Sequence, residues 1–544
     1  MSRSMSRRAV LRSALGVAMA GTVGGGALAG CTTATGTADA SADAAVQLPT
    51  LVPYTGVKPD LPQTAQGTRP GFFRYPAAPP RFVTEAPASG GTVRAMCTMN
   101  TPPVPVGRNR FWQELNTRLG AELTINGAPT LDYVSKFQTV VAGDDLPDTM
   151  EVRATTPQLP GLLRAKFQDL SEFVGGDAVK DYPALANIPT ESWQTTVYNG
   201  GIYGVPLHNP PIKVMTYARA DLIAERGLSL DVRTGDEWVQ LCREMADPKH
   251  NRWAHGSMPS AVTFLCEMLG VPNGWRNDAG TFTKDYEVPE YRKALEVTAR
   301  MWKEGLIHPD SFTAVGSQKI SWISTGTVAM LVGVSTWSNV AMAVRKAEPK
   351  ARIEPIMPPK YDGGGQARTY LGPAIFSITG LKKASKSRIK EMLRVLNWLQ
   401  APFGTEEHRL RVFGVPGRDF TLHGSDPIVT DTGASETTVP TLYIGACPIA
   451  HYAAGYPDIT RAEYDGEQEA LSNAEKWPLA GLYSATDQTQ GAVLDKKMLD
   501  LQADIITGRK SLRDWDSGVR TWKTTFGDKI RTEYAKAWQK SGGK

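Results

Sequence analysis

From Gly90 onward the apolar positions switch period in a regular order. TVRAMCTMN (92–100) alternates and is rich in β-formers, which predicts a buried strand. NRFWQELNTRLG (109–120) puts Phe111, Trp112, Leu115 and Leu119 on one helical face, with Gly120 at the stop. AELTIN (121–126) predicts a second strand. LDYVSKFQTVVAG (131–143) predicts a second helix with Tyr133, Val134, Phe137, Val140 and Val141 inward and Gly143 as its end. Thr149–Val152 then predicts a third strand. Strands alternating with helices predict a parallel sheet in α/β layers. Such sheets bind ligands beyond the carboxyl ends of their strands. Met99 and Asn100 close the first strand at that edge, and Arg153 and Thr155 follow the third.

The stretch AGDDLPDTM (142–150) holds Asp144, Asp145 and Asp148. Paired carboxylates can hold a metal or move protons. Here they fall between a helix stop and a strand start, at the end of that strand away from the ligand edge. They are read as turn chemistry, spectators to function. Further along, 291–304 is an amphipathic helix with Gly305 as its stop. KSRIKEMLRVLNWLQA (386–401) carries an apolar stripe from Ile389 to Leu399, and 511–540 is helical with scattered basic residues.

The N-terminus breaks this pattern. SRRAVLR (6–12) precedes the short apolar run ALGVAMAGTVGGGALAGC (14–31). A basic region, a short apolar region and small residues before a cut site predict an export signal over 1–30. SRRAVL resembles a twin-arginine motif through Arg7 and Arg8. Leu28-Ala29-Gly30-Cys31 resembles a bacterial lipobox, which would make Cys31 a lipidated first residue. Residues 31–88 are read as a flexible tether that runs into a proline-rich extended arm, with FFRYP at 72–76.

The whole chain of 544 residues is long enough for two lobes and carries a net charge of +5. Without the four arginines of the first 30 residues, 56 basic and 55 acidic residues remain. A nearly neutral body argues against nucleic acid as a partner. Beyond Cys31, the thiols Cys97, Cys242, Cys266 and Cys447 form no zinc or redox spacing. Either Cys242 pairs with Cys266 or all four stay as buried thiols.

Several segments carry a family resemblance. DYVSKFQTVVAGDDLPDTMEV, GGIYGVPLHNPP (200–211), KVMTYARADLIAERGLSL (213–230), YRKALEVTARMWKEGLIHPD (291–310) and STGTVAMLVGVSTW (324–337) occur in order, followed by RVFGVPGRDFTL (411–422) and the C-terminal helices. Over roughly 90–544 the chain resembles the carbohydrate-type family 1 of extracellular solute-binding proteins of ABC importers, in its larger lipoprotein members. The resemblance implies an α/β, two-lobed, flytrap-like type II periplasmic-binding-protein fold with several lobe crossings. It implies lobe 1 at 89–212 with 373–440, and lobe 2 at 213–372 with 441–544. It further implies a lipid-anchored monomer on the outer face of the cell membrane that binds an oligosaccharide in the interlobe cleft. Permease subunits and a separate ATPase would be its partners. No cofactor or enzyme activity is implied. The chain has no GxxxxGK[ST], HExxH, GxSxG or CxxC motif. At MADPKHNRWAHG (245–256), where some alginate-type members hold calcium, Asp247 and Asn251 offer too few hard oxygens, so no metal is expected. A surface glycan hydrolase, a sensor or adhesion lipoprotein, and an oligopeptide or uronate binder stand as alternatives.

Sugar recognition needs flat apolar faces and planar polar groups. Trp337 follows an apolar strand, and in resembling maltodextrin-type proteins a tryptophan there stacks on sugar. Asn100 offers amide groups for hydroxyls, with Met99 beside it. Arg153 either forks onto the ligand or forms an internal ion pair. His208 and Asn209 either line the cleft or shape the hinge before Pro210-Pro211. Trp253 and Trp275 are the candidates from the second lobe.

Overall fold

The computed structural model describes residues 46–212, 214–333 and 337–541. The export signal, Cys31 and the start of the tether lie outside the described residues. The strands that matter here are β1 (Thr92–Thr98), β2 (Glu122–Ala128), β3 (Thr149–Val152), β4 (Val205–His208), β5 (Met215–Arg219), β6 (Trp253–His255), β7 (Val328–Gly333), β8 (Ile353–Ile356) and β9 (Ile375–Leu381). They build two sheets. The first has the order β2-β1-β3-β9-β4, and the second the order β8-β5-β7-β6.

In the first sheet β1 runs parallel to β2 and β3, while β9 is antiparallel to β3 and β4. Both faces are covered, as a largely parallel sheet requires. Val93, Ala95 and Cys97 point into one apolar cluster, and Met96 into another. The period-2 reading of TVRAMCT is therefore correct, with both faces buried. Helix α1 (Arg110–Leu119) buries Phe111, Leu115 and Leu119. Asn109 caps it by accepting from the Trp112 N–H, and Gly120 ends it at φ 68°. Helix α2 (Tyr133–Ala142) ends differently from the sequence reading. Gly143 stays right-handed at φ −76°, and Asp144 takes the left-handed position at φ 58°. A short Asp tolerates that conformation where most residues do not.

The aspartates of the turn also hold the fold together. Asp144 pairs with Lys166 (2.6 Å), and Asp145 forks with Arg94. Asp148 is buried and accepts from the Arg94 backbone N–H (2.9 Å) and from Arg388 (2.7 Å), with Lys382 3.3 Å away. Burial alone would raise its carboxyl, but these donors hold it below its ordinary value. It ties the start of β3 to helix α4 (Lys386–Leu399), which follows β9; Ser338–Ala347 is helix α3. Asp148→Asn should lower stability by about 1.5–3 kcal/mol, the scale of hydrogen bonds to charged groups. A urea midpoint unchanged at neutral pH would refute that role.

In the second sheet β5 is antiparallel to β7 and β8, and β7 is parallel to β6. The sheets are joined by adjacent crossings. The chain leaves β4 and enters β5, and it returns from β8 to β9. The crossings pair through Asn209 N–H to Ala374 O (3.2 Å), Gly372 N–H to Pro211 O (2.9 Å) and a bridge between Ile212 and Leu371. Helix α5 (Pro457–Ser472) packs near β8 and α3. The four described thiols are free and buried, so Cys242 and Cys266 are not joined.

The proline-rich arm is not loose. Thr50 and Val52 donate to the carbonyls of Gly176 and Ala186. Phe72 and Tyr75 pack with Phe403, Phe413 and Phe420. Phe82 and Val83 donate their N–H groups to the Glu407 carboxylate, each at 3.0 Å.

Candidate functional site

The carboxyl ends of β1, β2 and β3, the end of β4 and the start of β9 form one edge of the first sheet. Register places them there: Val152 is opposite Ile378, and His208 is opposite Ile375. Arg153 follows β3 at this edge. Its Nε donates to Glu151 Oε1 (2.9 Å), Nη2 to Thr98 Oγ1 (2.6 Å) and Nη1 to Thr130 O (3.3 Å). Glu151 is buried and also accepts from the Thr98 N–H (2.7 Å). Of the two alternatives left by the sequence, the structure has the internal ion pair. The guanidinium lies 5.0 Å from the Tyr133 ring and 6.0 Å from the Phe376 ring.

Asn100 is exposed. Its Oδ1 accepts from Thr130 N–H and Oγ1, both at 2.9 Å. Its side chain lies near the Tyr443 hydroxyl. Met99 packs over Gly127, where any Cβ would collide with it. Thr155 is exposed in the turn after β3. Beside them stands Phe376, which is 48% exposed, with its ring 5.6 Å from that of Tyr443. Asn100, Arg153, Phe376 and Tyr443 thus form an aromatic shelf with polar groups along its rim. Phe376 escaped the sequence reading. Its signal was an aromatic at an outward position of the IFSITGL strand, whose other residues are buried.

His208 is half-buried at the end of β4. Its Nδ1 lies 2.9 Å from Ser192 Oγ. Burial first, and then the Arg69 charge, bring the imidazole down to about 4, so it is neutral at pH 7. Asn209 donates its backbone N–H to Ala374 O, where the two crossings pair.

Trp337 lies past β7, at the end of the second sheet where Met215 opens β5. It is covered, at 1% exposure, with its ring stacked on Tyr217 at 6.2 Å and 28°. The other two tryptophans must be corrected. Trp253 begins β6 and pairs with Val328 at the start of β7. The six residues of β7, at about 3.3 Å each, separate it from Trp337 by roughly the length of the strand. It packs on His308 (4.3 Å) and lines a cavity of about 190 Å³ with Leu222 and Arg252 at that far end. Trp275 is a core residue, 4% exposed, between Trp522 (6.0 Å) and Tyr534 (5.7 Å). A larger groove of about 370 Å³, lined by Arg94, Asn126, Asp145 and Pro147, lies toward the opposite end of β1–β3 from the shelf. In the 245–256 segment Asp247 is hydrogen bonded to His250 Nδ1 (2.6 Å).

Below the hinge lies a buried polar chain that the sequence reading missed. Arg69 of the arm donates to Glu467 through N (3.0 Å) and Nε (2.8 Å). His451 Nε2 meets Glu467 (2.6 Å), and its Nδ1 meets Glu463 (3.0 Å). Glu463 accepts from the Ser338 N–H (2.8 Å), next to Trp337. Its members lie 125 to 398 residues apart in sequence, apart from His451 and the two glutamates of α5, so no local pattern could reveal it.

Residues 108–404, more than half the chain, match the bacterial extracellular solute-binding protein family. Lipoprotein LipO of Bacillus subtilis (strain 168) is 23% identical over 492 residues, covering 84% of this chain and 94% of LipO. The polygalacturonan/rhamnogalacturonan-binding protein YtcQ of the same organism is 20% identical over 455 residues, covering 80% and 89%. The solved structure of alginate-binding protein AlgQ2 without calcium ion superposes with a TM-score of 0.61 at 15% identity, covering 84% and 99%. At that identity the likeness establishes the fold: two lobes of the periplasmic-binding type, as the sequence predicted.

Proposed function

The chain belongs to the bacterial extracellular solute-binding proteins, and from that premise we propose that it binds an oligosaccharide between its two sheets for an ABC importer. The shelf carries the reading. An exposed Phe376 ring beside Tyr443 offers the flat apolar surface a pyranose needs. Asn100 adds planar amide groups at the rim, and Arg153, locked by Glu151, shapes the floor without seeking a partner. The paired crossings at Asn209–Ala374 and Pro211–Gly372 suit a hinge. Ligand touching both halves favours the closed form.

Binding without turnover fits the same edge. Hydrolysis of a glycosidic bond needs two carboxyl groups facing the sugar. Glu151 is buried under Arg153 and Thr98 and is not free for that work. The relatives support the ligand class, since YtcQ is named as polygalacturonan/rhamnogalacturonan-binding and AlgQ2 as alginate-binding. They also support export and anchoring through Cys31, since LipO is a named lipoprotein. The permease and ATPase would be separate chains.

The test is calorimetry against a glycan panel, with Phe376→Ala beside wild type. The substitution should weaken the best ligand about tenfold, roughly 1.4 kcal/mol. Its stability should stay within about 0.5 kcal/mol, because the ring is exposed. Unchanged affinity would remove the shelf from the site, and a response to peptides alone would remove the sugar.

A further inference from the structure

Arg69 is 4% exposed, yet only the inner side of its guanidinium is used. Nε is held by Glu467, while Nη1 and Nη2 are buried with no hydrogen-bond acceptor among the described residues. One N–H from each of Nη1 and Nη2 makes the outer edge of a planar fork. The neighbouring acids cannot serve it as arranged. Glu467 already accepts from Arg69 N and Nε and meets His451, and Glu463 is taken by Ser338 and His451. At the other end of this chain, Trp337 Nε1 is a second buried donor without an acceptor among the described residues. The chain runs from the arm through α5 to the start of α3. The Arg69 and Glu467 charges also reach His208 at the end of β4. Arg69 therefore stands where the arm, the hinge and both sheets converge.

Burying a guanidinium with its outer edge unpaired costs stability, so the edge calls for a partner, a water, an ion or a ligand group. A single hydroxyl offers one oxygen to two parallel N–H groups. A carboxylate offers two at matching spacing and opposite charge. We propose that the outer edge of Arg69 receives the carboxylate of a uronate unit, so that the ligand is an acidic oligosaccharide and the arm supplies part of its site. The proposal rests on the sugar-binding reading above. The edge is enclosed in this structure, so the acid group enters as the two halves separate and is sealed in as they close.

The experiment compares binding by the full chain of galacturonate, mannuronate and guluronate trimers, of the methyl ester of each, and of neutral glucose and mannose oligomers. Esterification keeps the sugar and removes the charge. At least one acid should bind about tenfold or more tightly than its own ester. Arg69→Gln should erase that preference by bringing the affinity for the acid down to that for its ester. Arg69→Lys keeps a cation for Glu467 but has no fork, and it serves if the Gln variant does not fold; its preference should fall severalfold. No acid preferred over its ester, as when water fills the edge, overturns the proposal. So does a preference that is undiminished in the Arg69 variants. Binding of neutral sugars alone overturns it and leaves the sugar reading standing, while binding of no sugar overturns both.

Discussion

Replacing Glu467 with alanine should lower stability by about 3–5 kcal/mol, the cost of stripping one partner from a buried ion pair. The carboxylate answers the Arg69 guanidinium and backbone N–H and meets the His451 ring, all in the interior. Alanine leaves a buried cation with no counter-charge. Glu467→Gln keeps an acceptor and should lose less. The arm should not fall away, because Phe72, Tyr75 and the Glu407 clamp hold it elsewhere. Protease cleavage near 62–70 should increase instead, as local opening becomes cheaper. A urea midpoint for Glu467→Ala equal to wild type would refute the chain as a structural tie.

The same cluster fixes a pH window. Burial would raise the Glu467 carboxyl, but Arg69 and His451 bring it down from 4.5 to about 2. A depressed acid stabilises the fold above its unfolded value, and that contribution is lost as pH falls from about 4.5 toward 2. His451 behaves oppositely. Burial would lower it, but hydrogen bonds to Glu463 and Glu467 hold it above its ordinary 6.5. Its contribution is full below 6.5 and is lost as pH rises through the raised value. The Arg69 guanidinium and His208 also face the cluster; burial and the Arg69 charge bring His208 down to about 4, so it takes up its proton inside the acid limb. Stability from the cluster should therefore peak between about 4.5 and 6.5. Glu467→Ala should flatten both limbs in urea midpoints measured from about pH 2 to 9. A variant whose pH profile parallels wild type would show that other groups set the limbs.

What could be read in the sequence is what depends on neighbours in sequence. Alternation in TVRAMCT gave the strand and its two faces, and Gly120 marked the end of α1. Once β1 and β3 were placed, Asn100 and Arg153 had to fall at the ligand edge. Partners far along the chain could not be read. Asp148 looked like a turn residue because Arg388 lies 240 positions away. Whether the extended arm packs on the body could not be read, because Glu467 lies 398 positions from Arg69. Tryptophan candidates failed for another reason. An aromatic residue type says nothing about which end of a strand it occupies, and it was the parallel pairing of β6 with β7 that put Trp253 at the wrong end. Phe376 was legible in principle, as the outward residue of an otherwise buried strand.

Trp337→Ala separates two roles that one residue could have. If the ring packs in the core as the structure has it, alanine removes a large buried side chain beneath Tyr217 and should cost about 3–5 kcal/mol. Gly333 sharpens the expectation. A Cβ there would lie 2.8 Å from the Tyr217 hydroxyl, so the backbone already fits closely and has little freedom to collapse into the hole. Trp337→Phe should cost much less than the volume lost suggests, because the buried Nε1 donor lacks an acceptor among the described residues. If instead the ring faces an open cleft in solution and is covered only on closure, alanine should leave unliganded stability within about 1 kcal/mol and remove ligand affinity. Urea midpoints without ligand, paired with calorimetry, read both quantities. A large loss of stability with affinity preserved in Trp337→Phe marks a core residue that supports the Ser338–Glu463 link. Unchanged stability with lost affinity returns Trp337 to the binding face and makes the enclosed arrangement the closed form of the flytrap.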